Sequence, residues 1–146
     1  LTVFFSIGIF MTYIGGLLGD KYGPIKIIRL SLLIWLPSMF LLTQVPDFSV
    51  TIMMPLAYLI LLMIGAAKAI SYSPVIVLGQ TYLAKSIGFA SGITLGVSQT
   101  IGGIIAPVVG NLADTYSLSL AMMTLVPFLI VGLGASLLLK DPKKLQ

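Results

Sequence analysis

The chain has 146 residues, 58% of them hydrophobic and only 8% charged, with eight Lys or Arg against four Asp or Glu and a net charge of +4. A soluble domain carries roughly 25% charged residues because something has to face water, so this composition argues against a water-soluble enzyme, a nucleic-acid binder and a disordered chain. Cys and His are both absent, which removes disulfides and the commonest thiolate and imidazole metal sites.

Charges cut the sequence into five apolar blocks, each close to the roughly 20 helical residues that cross the hydrocarbon of a bilayer. Backbone in lipid must satisfy its own hydrogen bonds, and no period-2 alternation suggests a barrel, so every block is predicted helical. The expected fold is all-α: a polytopic transmembrane bundle of five helices over residues 1–19, 26–45, 51–79, 86–110 and 117–139. The first block has no charge, no initiating Met and no basic leader region. It is read as the start of a spanning helix in a piece of a longer polypeptide, not as a signal peptide.

After the first span comes Gly16-Leu-Leu-Gly-Asp20-Lys21-Tyr-Gly23-Pro-Ile-Lys26. Physically this predicts a helix end, a tight turn and a helix start. Gly23 can take a positive φ, and Pro24 suits the first turn of the next helix. Asp20 is suited to accept from the unpaired N–H groups of a helix N-terminus, and Lys21 and Lys26 to pair with it or with lipid phosphate. The segment is a solvated turn or a latch between two states.

The second span draws on residues 25–28 for length, with Lys26 and Arg29 snorkelling to the headgroups; Pro37 marks a kink. The third has Pro55 in its first turn, where a missing N–H costs nothing, and Gly65 and Pro74 as candidate bends. Lys68 is the one charge well inside a span, about 25 Å along the helix from Thr51 at 1.5 Å per residue. Its arm either reaches the headgroups or faces a central cavity, where it would attract an anion or pair with an acid from elsewhere. Tyr72, one turn further on, shares its face.

Small residues dominate the fourth span. Gly88, Gly92 and Gly96 are four apart, as are Ser98, Gly102, Ala106 and Gly110, and such strips let another backbone approach closely. Gly103 and Pro107 add a flexible point, so the strip serves packing or hinging. Gln99, near mid-span, is interhelical glue or cavity lining. Asn111 and Asp114 are expected to end this helix, and the fifth span runs to the basic tail of Lys140, Lys143 and Lys144.

Basic residues in successive connections number three, zero, one, zero and three. That pattern places the Asp20 loop, the Lys85 loop and the C-terminus in the cytoplasm. No carboxylate lies deep in a span, and no catalytic triad, metal site or cofactor site can be assembled, so an enzyme is not expected.

The Gly16–Lys26 string resembles the cytoplasmic loop motif of the major facilitator superfamily, Gly-x-x-x-Asp-Arg/Lys-x-Gly-x-Arg/Lys-Arg/Lys. Gly16, Asp20, Lys21, Gly23 and Lys26 match it; Ile25 stands where a basic residue is common. The number of spans on each side fits the second copy of that motif, which implies helices 8 to 12 of the C-terminal half. The missing partners would then be the N-terminal half of the same polypeptide and helix 7. A narrower likeness is to the fosmidomycin-resistance-like branch. It is carried by Gly19-Asp-Lys-Tyr-Gly23, Pro37, Gly79-Gln80, Gly88-Phe-Ala-Ser-Gly92 and Gly110-Asn-Leu-Ala-Asp114, with Thr81 where that branch often has Glu.

The resemblance implies a multi-pass inner-membrane secondary transporter that moves a small-molecule substrate by alternating access. Proton-coupled, drug-resistance-type efflux is the specific expectation, with lipid, solute and protons as partners, no cofactor and no nucleic acid. Uptake of an anion or organic acid is the alternative, as is a non-transporting, receptor-like packing protein.

Overall fold

The computed structural model describes residues 2–44 and 53–139. The expectations placed on Leu1, on the Pro46–Ser49 connection, on Thr51 and on the tail from Lys140 lie outside the described residues. Among those described there are six α-helices and one short 3-10 turn, and no strand.

Helix α1 (Thr2–Tyr22) runs straight through Asp20 and Lys21, so the two charges sit in its last turn instead of beyond it. The turn itself is a single residue. Gly23 takes φ 95°, as expected of a glycine there; its N–H bonds the Gly19 carbonyl at 2.9 Å, and Pro24 opens α2 (Pro24–Thr43). A side chain at this φ would be strained. Helix α3 (Met53–Tyr82) takes Pro55 in its first turn and continues past Pro74 for 30 residues, about 45 Å. The 3-10 turn Ala84–Ser86 carries Lys85 and leads into α4 (Ile87–Thr115).

The helices run past several of the expected spans. Helix α3 extends beyond residue 79 to Tyr82, and α4 does not stop at residue 110. Asn111 and Asp114 lie inside the last turns of α4, which ends at Thr115 with Tyr116 as its C-cap, so neither terminates it; Thr115 bonds back to the Asn111 carbonyl at 2.7 Å. The fifth span is two helices, α5 (Leu118–Met123) and α6 (Val126–Leu138). Pro127 has no N–H for the Met123 carbonyl and disfavours helical geometry in the residue before it, so the chain turns at Thr124 and Leu125 and restarts. Pro37, Pro74 and Pro107, by contrast, all lie within helices that carry on past them.

Four stretches are long and apolar enough to cross a bilayer: Pro24–Thr43, Pro55–Tyr82, Ala84–Thr115 and Leu118–Leu138. With α1, 21 residues long, the architecture is an all-α bundle of long apolar helices, as a polytopic membrane protein requires. Phe10, Val131 and Leu138 are largely exposed, an arrangement that fits lipid and not water.

Helix α3 is the centre, packed against α1 and α2; α2 also meets α6, and α4 flanks α3 and α5. The buried cluster of Ile25, Ile28 and Leu78, with Leu32 against it, joins the start of α2 to the end of α3. Arg29 joins the start of α2 to the end of α6. Its Nε and Nη2 donate to the Ser136 carbonyl at 3.0 and 2.8 Å, and Nη2 lies 3.3 Å from the carbonyls of Leu137 and Leu139. A guanidinium thus caps the unpaired carbonyls and negative dipole end of the last helix. These two contacts gather the Asp20 corner, the Lys85 turn and the end of α6 at one end of the bundle. Buried Ser31, Ser38 and Ser136 return their hydroxyls to carbonyls of their own helices, so they stand apolar against their neighbours.

Candidate solute cavity

Helix α3 presents Gly65, Lys68, Ala69 and Tyr72 at i, i+3, i+4 and i+7, one face of a helix. Opposite them α1 presents Gly8, Ile9, Thr12 and Tyr13. These eight residues line a cavity of about 650 Å³. The glycine on α1 makes room for it: a Cβ added at Gly8 meets nothing within 4 Å. Thr12 donates its hydroxyl to the Gly8 carbonyl at 2.9 Å, which leaves its oxygen lone pairs for the cavity.

Lys68 and Tyr72, paired in the sequence by helical spacing, therefore come together on one wall. The ammonium of Lys68 has no hydrogen bond or ion pair among the described residues. Among the described residues it is the only charged group on the lining. Gln99 is not part of this wall. It is exposed on α4, without a hydrogen bond among the described residues. The α3–α4 tie is made instead by Gln80, whose Nε2 donates to Ser91 Oγ at 2.8 Å.

The crossing of α1 and α3 just beyond the cavity carries a feature the sequence reading missed. Pro74 has no N–H for the Ile70 carbonyl four residues earlier. That oxygen faces Gly15, in the place a Cβ would take; the Ile70 carbonyl carbon and Cα lie 2.8 Å from the same point. Gly16 and Gly19 continue the contact, with Ser73 Oγ and Pro74 Cγ each 3.2 Å from where their Cβ atoms would be. Gly15 and Gly19, four apart, are the close-approach signature of membrane helices, and a Cα–H facing an otherwise unpaired carbonyl recurs at such crossings.

Of the corner motif, Gly16 packs on Ser73 and Gly23 makes the turn. Asp20, Lys21 and Lys26 are exposed, with Lys21 Nζ 5.3 Å from the centre of the Tyr22 ring. The N-cap of α2 is Gly23 and receives no side-chain hydrogen bond. Asp20 thus does not cap the neighbouring helix, and it has no partner among the described residues.

On α4, a Cβ at Gly88, Gly92, Gly96, Gly102, Gly103 or Gly110 would meet nothing within 4 Å, and Ala106 and Pro107 are exposed. Among the described residues nothing packs onto these glycines. Gly92 and Gly96 instead floor a groove of about 440 Å³ walled by Phe89, Ile93, Val97, Thr100 and Ile101. Among the described residues no group of three acids, histidines or cysteines stands where a metal would bind.

No protein family model matches the chain, and no solved structure does. The chain is 33% identical over 141 residues to the uncharacterized MFS-type transporter YfnC of Bacillus subtilis (strain 168). That match takes in 97% of this chain and 33% of the relative, so the chain spans a third of the length of the curated protein it matches. Long apolar helices around an open cavity and this similarity agree on a membrane protein distantly homologous to an MFS-type transporter.

Proposed function

We propose that this chain is the C-terminal portion, helices 8 to 12, of a major-facilitator-type secondary transporter akin to the fosmidomycin-resistance-like branch. It exports a small solute across the inner membrane in exchange for protons. The observation that carries the reading is the cavity between α1 and α3, with Lys68 and Tyr72 on its wall. Such a hollow, midway along helices long enough to cross a bilayer, has the size of a small-molecule site. The basic connections gathered at one end are then cytoplasmic, and the Asp20 carboxylate is free to latch onto the N-terminal half. The bare glycine strip of α4 is where that half packs and slides.

Alternating access predicts that the cavity wall meets water from each side in turn. Ala69→Cys in the full-length polypeptide should react with an impermeant maleimide in both right-side-out and inside-out vesicles. An imposed pH gradient should shift the ratio of the two rates at least twofold. Reaction from neither side would overturn the transporter reading, and a ratio indifferent to the gradient would remove proton coupling.

A further inference from the structure

We propose that the α1–α3 cavity selects lipophilic monoanions, a single carboxylate on an aromatic or aliphatic body, with Lys68 as the counter-charge. The inference rests on the transporter reading and names its substrate class.

The charge count on the wall is the first argument. Lys68 lies 15 residues from the start of α3 and 14 from its end, about 21 to 22 Å from either at 1.5 Å per residue. It is therefore near mid-span, where an uncompensated ammonium is costly and is normally paired. Among the described residues no acid lines the cavity. On α1 the one acid is Asp20, eight residues beyond Thr12, about 12 Å further along that helix and past the Gly15–Ile70 crossing. On α2 and α3 the described residues include no acid, and on α4 the one acid is Asp114 in the last turn. A bound anion would neutralise Lys68 from within this cavity. One ammonium matches one negative charge. A doubly ionised phosphonate would carry an unmatched charge between walls of Ile9, Ala69 and glycine, and a cation would meet Lys68 directly.

The donors and the walls give the rest. Thr12 has spent its hydroxyl proton on Gly8, so the donors available to an oxyanion are Lys68 and the phenols of Tyr13 and Tyr72. Three donors suit the lone pairs of one carboxylate. The two phenol rings and Ile9 offer flat, apolar surface to the body behind it. A volume of about 650 Å³ holds a bicyclic acid easily.

The test uses purified full-length polypeptide in detergent and equilibrium dialysis with radiolabelled 1-naphthoate, 1-naphthylmethylammonium and 1-naphthylphosphonate. Naphthoate should bind saturably, at least tenfold tighter than either of the others. Lys68→Ala should weaken naphthoate at least tenfold and Lys68→Arg less than threefold. Gly8→Leu, whose side chain enters empty space, should abolish binding while leaving thermal unfolding undisturbed.

Equal affinity for the ammonium, or naphthoate binding unchanged by Lys68→Ala, would overturn the proposal. So would an absence of saturable naphthoate binding, as expected if lipid or a further helix of the polypeptide fills the hollow. Absent binding with Ala69→Cys reactive from both sides sinks the substrate class alone. Binding with Ala69→Cys reactive from neither side upholds the anion site and removes transport.

Discussion

Gly15→Leu should lower the unfolding temperature of the purified protein sharply, whereas Gly8→Leu should leave it unchanged or raise it slightly. The two glycines sit two turns apart on α1, and helix propensity favours leucine at both by roughly 0.5 to 1 kcal/mol. What separates them is the space at the Cβ. At Gly8 it is empty; at Gly15 it is occupied by the Ile70 carbonyl, a backbone atom that cannot rotate away. Helices α1 and α3 must part to admit the side chain, and overpacking of this kind costs about 3 kcal/mol. Separation also takes the Ile70 oxygen, which Pro74 has deprived of its helical partner, away from the Gly15 Cα–H and leaves it in apolar surroundings. Equal melting of the two variants, read by a light-scattering thermal ramp in detergent, would mean that the crossing is not held as described.

Arg29→Ala should be the second most damaging change, costing about 2 kcal/mol. Hydrogen bonds from a charged donor are worth about 1.5 to 3 kcal/mol each at most, and half of those made by Arg29 are partly buried, with the others exposed. Loss of the side chain strips the cap from α6 and unfastens it from α2. Arg29→Lys keeps the charge but not the fork that reaches three carbonyls, so it should restore less than half of the lost stability. Amide hydrogen exchange localises the effect: faster exchange should appear in residues 132–138 first. Unchanged exchange there would contradict the capping role.

The same two sites show where sequence reasoning reaches its limit. Long apolar runs are a strong signal because lipid leaves the backbone no choice but helix, and the helices stand close to where the runs were. The Gly23–Pro24 corner is equally legible, since a positive φ and a fixed φ in succession have few other uses. Lys68 and Tyr72 were paired by helical spacing, a local rule, and they do share a wall. Local rules read Arg29 as a snorkelling charge, and its partners lie 107 to 110 residues away, beyond the reach of any such rule. Gly15 and Gly19 carry the four-residue spacing, but it overlaps the Gly16–Lys26 motif, which reads as a helix end and turn. The longer glycine series of α4 predicts a close backbone, and among the described residues none lies within 4 Å of its Cβ positions. Small-residue spacing identifies where a helix can be approached, not what approaches it. The break before Pro127 was readable from the proline alone and was obscured by an unbroken apolar run.

Everything assigned to the cavity depends on α4 crossing the bilayer with the Lys85 turn in the cytoplasm. Ser86 and Ser117 bracket that helix, whose 29 residues span about 44 Å. Cysteines placed singly at these two positions in the full-length polypeptide, on a background without other cysteines, and exposed to an impermeant maleimide on intact cells, test it directly. Ser117→Cys should label at once and Ser86→Cys only after permeabilisation. Equal labelling of both from outside, or the reverse order, would contradict the account.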